Sequence, residues 1–296
     1  MGHTLVTTGD FKKARAHYDR GIALYNPDEH RSLATQFGQD IRVTILSWRS
    51  LALWLLGFPD AALRDADDAV KYGRETAQAA SLMFALYMTA IVHILCGNYS
   101  VATAQAHELY ALGQEKGAVL WKASGTMYEG CVLAVTGTAS EEVEMLTAGN
   151  VEYRSTGSTV ILSWMLSHLA KSYSELGKFD DAWLCISEVM TTTETTNEIW
   201  FQADVHRMAG EIALKSPEAD AGKAQACFER ALAVARKQQA KSWELRAAMS
   251  MARLWREQGK RDEARDLLAP VYGWFTEGFD TLDLKQAKAL LDELHV

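Results

Sequence analysis

The chain has 296 residues, and its 30 basic and 38 acidic side chains give a formal net charge of −8. An acidic surface repels phosphate backbones, so we predict that the chain binds no nucleic acid. It has only four prolines, and the Ala, Leu, Glu, Gln and Arg between them favour helix nearly throughout, with no sheet. The four cysteines form no C-x-x-C pair, which excludes a disulfide framework. We predict reduced core cysteines at Cys96, Cys131, Cys185 and Cys227.

We expect no membrane-spanning helix. A span needs about 18 to 20 apolar residues, and we take the longest apolar run to be residues 48–58, which Arg49 interrupts. The start, from Met1 to Thr4, lacks the charged and apolar regions of a signal peptide. A cytoplasmic location is therefore predicted.

The first element is a partial hairpin at residues 9–25. Gly9 and Ala14 match the turn and second helix of the later hairpins, yet the residues before Gly9 are too few for a first helix. We therefore predict a fragment whose first helix lay upstream, with an open apolar edge around Phe11, Ala14 and Tyr18. Such an edge favours a monomer or a weak dimer. Pro27 then opens a long connection that ends at Gln39.

In the rest of the chain, turn glycines recur at a regular spacing that marks a repeat. Gly57, Gly97, Gly137 and Gly177 are each 40 residues apart, and Gly259 follows 82 residues later. An alanine recurs five residues after the turn, with one replacement by Glu142. These alanines are Ala14, Ala62, Ala102, Ala182, Ala224 and Ala264.

This register predicts one domain, 1–296, built from six helical hairpins and a capping helix. Pro59 suits the first turn of a helix, and Ser216, Pro217 and Glu218 predict another helix start. Thr281 or Asp280 is predicted to cap the last helix. The predicted hairpins are 37–76, 78–116, 118–156, 158–194, 197–238 and 240–275, and the capping helix is 281–295.

The stretch from Leu166 to Val189 shows one hairpin most clearly. Leu166, Leu169, Ala170 and Tyr173 share a helix face, Gly177 breaks that helix, and Ala182 opens the face of the next. This order resembles a tetratricopeptide repeat (TPR), whose standard period is shorter. The resemblance implies an all-α fold, a right-handed α–α superhelix or TPR-like solenoid.

The motifs of phosphate loops, dinucleotide-binding loops and helix-borne zinc sites are missing from the sequence. We therefore predict that this chain is not an enzyme and needs no metal or cofactor. His93 falls in the position of Tyr173 in the repeat register, so a core imidazole is favoured over a ligand to a metal. Gly130 falls in the position of Ala170, where a small residue permits close helix approach.

Basic residues concentrate on the first helices of the last two hairpins. His206, Arg207, Arg246, Arg253 and Arg256 lie there, and first helices of such repeats line the concave groove where ligands dock. The candidate groove-binding residues for an acidic peptide or an anionic small molecule are Trp200, His206, Arg207, Trp243, Arg246 and Arg253.

The same residues also have a purely structural explanation. The arginines also have Glu211, Glu244 and Glu257 on neighbouring turns, so solvated ion pairs explain the same pattern. The tryptophans near the start of first helices also suit packing between repeats. They are Trp121, Trp164, Trp200 and Trp243.

Longer stretches resemble a particular protein class. They are Gly21–Ala34, Phe37–Asp40, Ala226–Leu232, Trp243–Ala248, Ala252–Trp255 and Leu267–Phe279. These resemble the C-terminal repeat region of bacterial multidomain proteins that join a class III adenylate/guanylate cyclase, a signal-transduction ATPase and a TPR array. In that class we expect a glycine after Phe37–Asp40, and this chain has Arg42 in its place. The catalytic residues of that class lie outside this chain.

The resemblance implies a regulatory scaffold, the sensor or docking arm of a nucleotide cyclase/ATPase. Its partner would be another protein or the upstream domains of the same polypeptide. The alternative is a small-molecule-sensing TPR arm of a multidomain transcription regulator. Neither alternative requires a membrane.

Overall fold

A computed structural model describes residues 1–137 and 139–295, without the side chains of residues 139 and 140. These residues form helices, turns and connections, with no strand among them. The all-α fold class is therefore confirmed. The helices are α1 (Gly2–Thr7), α2 (Phe11–Leu24), α3 (Pro27–His30), α4 (Leu33–Phe37), α5 (Ile41–Leu55), α6 (Pro59–Glu75), α7 (Ala79–Cys96), α8 (Tyr99–Glu115), α9 (Val119–Thr136), α10 (Ala139–Ser155), α11 (Leu162–Glu175), α12 (Phe179–Thr196), α13 (Gln202–Lys215), α14 (Ala221–Gln238), α15 (Lys241–Glu257), α16 (Arg261–Tyr272) and α17 (Leu282–Leu294).

The chain divides into two compact units. Unit 1 comprises residues 1–6, 10–54 and 60–160. Unit 2 comprises residues 7–9 and 55–59 together with the chain from residue 161 onward. Within each unit, helices that follow one another along the chain pack as hairpins, for example α8 with α9 and α13 with α14.

The repeat register predicted the hairpins because it marked both their turns and their cores. Gly57, Gly97, Gly177 and Gly259 all adopt positive φ, the left-handed conformation that ends a helix. The six register alanines are each 0% exposed. A small buried side chain at this position lets the two helices of a hairpin approach closely. Glu142, which replaces the alanine in α10, is also buried.

The beginning of the chain differs from the prediction. The residues before Gly9 do form a helix, the short α1, and Gly2 lies against the ring of Tyr18. Phe11, Ala14 and Tyr18 are buried, so the predicted open apolar edge is wrong. The connection after Pro27 contains the two short helices α3 and α4.

Two helix ends also differ. Asp220, and not the segment 216–218, caps α14, because its carboxylate accepts a hydrogen bond from the Lys223 backbone N–H at 2.8 Å. Ser216 instead ends α13. Helix α16 ends at Tyr272, three residues before the predicted end, with Pro270 inside its last turn.

Helix α7 corrects the expectation about apolar runs. Ala79–Cys96 is 18 residues long and apolar enough, by length and composition, to cross a membrane. However, 78% of these residues are buried inside the fold. A core helix passes the same test of length and composition, and α7 is packed as one, against α8 and α9.

Candidate functional site

The aromatic candidates lie in the core of unit 2. Trp200 is 2% exposed and Trp243 is 1% exposed. The Trp243 indole N–H donates to the backbone oxygen of Trp200 at 3.1 Å, and its ring packs edge-on against Phe201. These contacts fit the packing alternative, because large aromatic side chains bury area between stacked helices.

His206 is also a core residue. It is 6% exposed on α13. Burial, together with the charge of Arg230, lowers the pKa of His206 to about 4. The imidazole is therefore neutral near pH 7 and adds no positive charge to the site, unlike the sequence expectation.

Three arginines of α13 and α15 remain partly exposed, and we call Arg207, Arg246 and Arg253 the arginine cluster. Arg207 is held within its own helix by Asp204 and by Glu211, whose Oε1 is 2.6 Å from the guanidinium. Ser250 of α15 donates to the same Glu211 oxygen at 2.9 Å. Burial opposes the charge on Arg207, but the two carboxylates outweigh it and raise the arginine pKa.

Arg246 joins α15 to the last helix. Its Nε donates to Oδ2 of Asp283 at 2.8 Å, and the two side chains are only 19% and 15% exposed. The guanidinium also lies 5.3 Å from the centre of the Trp243 ring. Burial opposes the charged form, yet Asp283 and then Asp204 outweigh it, so the pKa of Arg246 is raised.

Arg253 differs from its two neighbours. In the part of the chain that the structure describes, no carboxylate lies within ion-pair distance of its guanidinium. Burial lowers the pKa of Arg253, and the charges of Arg207 and Arg256 lower it further. Glu211 and Asp283 offset this only in part. Arg253 is thus a half-buried cation whose hydrogen-bond donors are not used by a protein carboxylate.

His168 on α11 belongs to the same site, and the sequence analysis missed it. The side chain is 7% exposed, packs edge-on against Trp164, and leaves Nδ1 without a hydrogen-bond partner. Burial, then the charges of Lys171, Arg246 and Arg207, lower its pKa to about 3. The apolar face of Leu166 and Leu169 did not indicate this burial, because His168 is two residues from Leu166 and lies on another side of the helix.

The remaining sequence candidates are structural. His93 is 3% exposed, as expected of a core imidazole, and neither ring nitrogen has a hydrogen-bond partner, although Nε2 lies 3.7 Å from an Asp67 carboxylate oxygen. His107 is an exposed residue paired with Glu129 at 3.0 Å. A Cβ at Gly130 would lie 2.9 Å from Leu146, which confirms the close approach. None of the four cysteines forms a disulfide; three are buried and Cys227 is half-buried.

A metal site is not evident in the described residues, which contain no group of three or more His, Cys, Asp or Glu able to hold an ion. What unit 2 offers instead is two guanidinium groups held by carboxylates, those of Arg207 on α13 and Arg246 on α15, with Arg253 beside them. Fixed guanidinium donors recognise carboxylates through charge-assisted hydrogen bonds.

This chain is similar to a number of solved structures, among them two Rap proteins. The apo form of RapI matches with a TM-score of 0.58 and 13% sequence identity, over 95% of this chain and 91% of that one. The Rap conjugation gene regulator of the plasmid pLS20, solved in complex with the Phr* peptide, matches with a TM-score of 0.63 and 9% identity. That match covers 99% of this chain and 72% of the other. No protein-family model and no curated protein sequence matches the chain.

At these identities the similarity concerns the fold alone. The chain has the TPR-like, all-helical repeat fold that the sequence predicted, together with the two Rap structures. The all-helical repeat fold class is therefore confirmed by its agreement with known structures.

Proposed function

We propose that this chain is a non-enzymatic regulatory scaffold that binds an acidic peptide segment of a partner. The segment lies across α11, α13 and α15 of unit 2. The observation that carries the proposal is the arginine cluster, which gathers partly exposed guanidinium groups on α13 and α15 of an otherwise acidic chain.

The ion pairs support recognition because they fix the donors before a ligand arrives. Asp204 and Glu211 orient Arg207, and Asp283 orients Arg246. Binding then costs less side-chain entropy than it would with mobile arginines. Charges held in this way set specificity and association rate through complementarity to an acidic partner.

The fold similarity supports the same function. The pLS20 Rap regulator was solved in complex with a peptide, so a helical repeat of this shape class accommodates a peptide ligand. Stacked helical hairpins generally provide extended binding surfaces for such segments.

The test is a selection of peptides from a random display library, followed by calorimetric titration of the selected sequences. We expect acidic peptides to be enriched. The double variant Lys171→Glu with Arg256→Glu reverses two partly exposed charges beside the cluster and is expected to weaken binding at least tenfold. The matched control, Lys260→Glu with Arg261→Glu, makes the same change in net charge at the exposed start of α16 and is expected to bind as the wild type does.

Two results contradict the proposal. One is a selection that enriches no peptide able to bind in titration. The other is an equal loss of affinity in both double variants, which would reflect overall charge and not this surface.

The finer predictions from the sequence concern a parent polypeptide. A cyclase/ATPase parent rests only on the sequence resemblance, and the matched solved structures give it no support. The sensor arm of a transcription regulator and an anionic small-molecule ligand stay as alternatives. The reading frame upstream of residue 1 tests the first two, since a cyclase or a DNA-binding domain there would distinguish them, and native mass spectrometry of the purified chain tests the third.

A further inference from the structure

We propose that Arg253 is the carboxylate-binding residue of unit 2 and receives a single carboxylate group from the bound peptide. This inference rests on the proposed function and deepens it, because it assigns one anchor residue and one chemical group. It is carried by the positions and partners of the charged side chains around Arg253.

On α15, Arg253 lies beside polar side chains that already have partners. Arg246, Ser250 and Arg253 are spaced i, i+4 and i+7, so they lie on one face of the helix. Arg246 is bound to Asp283, and Ser250 is bound to Glu211. The next basic residue, Arg256, pairs with Glu293. Of these three arginines of α15, only Arg253 lacks an ion pair within the described residues.

An unused guanidinium in a half-buried position favours an incoming acceptor. Arg carries five N–H donors, and burying them without acceptors costs free energy. The lowered pKa of Arg253, caused first by burial and then by neighbouring cations, agrees with this cost. A carboxylate that pairs with the guanidinium removes the cost and gains charge-assisted hydrogen bonds.

The surroundings favour a monoanion over a phosphate group. Glu211 and Asp283 both act on the charge of Arg253, so an incoming anion meets two carboxylates as well as the guanidinium. A phosphate dianion doubles the attraction to the guanidinium and the repulsion from these carboxylates alike. Its desolvation in a half-buried site, however, costs much more free energy than that of a carboxylate, because this cost grows with the square of the charge. His168 nearby is neutral at pH 7 because burial lowers its pKa to about 3, and it adds no compensating charge.

The carboxylate has two possible sources, an acidic side chain or the C-terminus of the peptide. The experiment uses a probe for each: N-acetylaspartate amide for the side chain and N-acetylglycine for the chain end, with inorganic phosphate as the third ligand. Each is titrated into the full chain, enriched in ¹⁵N at arginine, while the guanidinium resonances are recorded by NMR. The Arg253 signal is assigned by its disappearance in Arg253→Gln.

We expect a saturable shift of the Arg253 resonance with millimolar affinity for at least one carboxylate and at least tenfold weaker binding of phosphate. Any saturable shifts that the same probe causes in other arginine resonances should disappear in Arg253→Ala. They should persist in Arg261→Ala, a control at an exposed arginine of α16. Thermal unfolding midpoints confirm that each variant is folded, and Arg253→Gln provides a second variant of nearly unchanged size. The preferred probe identifies the source of the carboxylate.

The inference is overturned by the absence of a saturable shift in the wild type, by equal carboxylate affinity in Arg253→Ala, or by tighter binding of phosphate. Its failure is distinguishable from failure of the proposed function. A selected peptide that binds Arg253→Ala as tightly as wild type leaves the scaffold standing and removes the anchor. If carboxylates saturate Arg253 but no peptide is selected, the proposed function fails and the assignment of Arg253 stands.

Discussion

Arg246 and Asp283 form an ion pair with an N···O distance of 2.8 Å that ties α15 to α17, although the two residues are 37 positions apart in the sequence. Both side chains are mostly buried. The pair closes the end of unit 2, where the apolar side chains of α15, α16 and α17 form a common core. Removing one partner therefore leaves a buried charge beside that core.

Asp283→Ala is expected to lower the free energy of unfolding by about 3 kcal/mol, because it strands the Arg246 guanidinium without its carboxylate. Urea unfolding followed by circular dichroism measures the change. Asp280→Ala is the control: Asp280 is fully exposed and 3.9 Å from Lys285, and such surface pairs contribute little. Equal stability of the two variants would show that the Arg246–Asp283 pair does not stabilise the end of unit 2.

Gly125→Ala is expected to destabilise unit 1 by about 2 kcal/mol. A Cβ at this position of α9 would lie 2.7 Å from the Ala106 backbone oxygen and 2.8 Å from the Tyr110 backbone nitrogen, both in α8. Backbone atoms cannot yield as a side chain can, so the helices must separate. Gly222→Ala, where a Cβ meets only Asp220 at 3.4 Å, is expected to stabilise by about 0.5 kcal/mol. Thermal unfolding compares the two, and an unchanged midpoint for Gly125→Ala contradicts the close packing.

Acidification is expected to destabilise the fold below about pH 6.5. The pKa is about 3 for His168 and about 4 for His206, and it is also lowered for His93, in each case chiefly by burial. Since these values lie below that of the unfolded chain, the unfolded state binds more protons as pH falls. Stability is therefore present above pH 6.5 and is lost progressively below it.

The measurement is urea unfolding between pH 7 and pH 5. His168 and His206 each contribute a slope of about 1 kcal/mol per pH unit there, and His168→Gln should remove one such contribution. His17→Gln replaces an exposed imidazole of α2 and should leave the slope unchanged. A His168→Gln slope equal to that of the wild type argues against a neutral buried His168.

Glu142→Ala is expected to stabilise the chain by about 1 kcal/mol. Glu142 is 1% exposed and its Oε1 has no hydrogen-bond partner, which is costly for a polar group. Alanine fills the same position in the other hairpins. Glu141→Ala, at an exposed site of the same helical turn, is the control and should change stability by less than about 0.5 kcal/mol. A destabilised Glu142→Ala would mean that the carboxylate fills space that alanine leaves empty.

The helices were largely predictable because the turn glycines and the register alanines mark both the ends and the inner faces of each hairpin. The predictions failed where local signals compete. Asp220 outcompetes the segment 216–218 as the start of α14, since it supplies a side-chain acceptor to Lys223. The formation of so short a helix as α1 has no periodic signal in the sequence.

The site was predictable only in part. Charge clustering correctly located arginines on α13 and α15, and the spacing of Arg207 and Glu211 correctly anticipated their pair. The pairing of Arg246 with Asp283 could not be anticipated, because it depends on how α17 packs on α15. Burial of Trp243 and His206 equally depends on contacts between helices distant in the chain.

The turn segments of unit 2 have a consequence for the order of folding. The Ile199 backbone N–H donates to the oxygen of Thr7 at 2.7 Å, and a Cβ at Gly278 would fall on the ring of Pro59. Most helical repeats need only their immediate neighbours along the chain. Here the turns at residues 7–9 and 55–59 must wait for hairpins that follow more than 100 residues later. Loop-closure entropy therefore slows completion of unit 2 and makes its unfolding more cooperative than that of a simple repeat array.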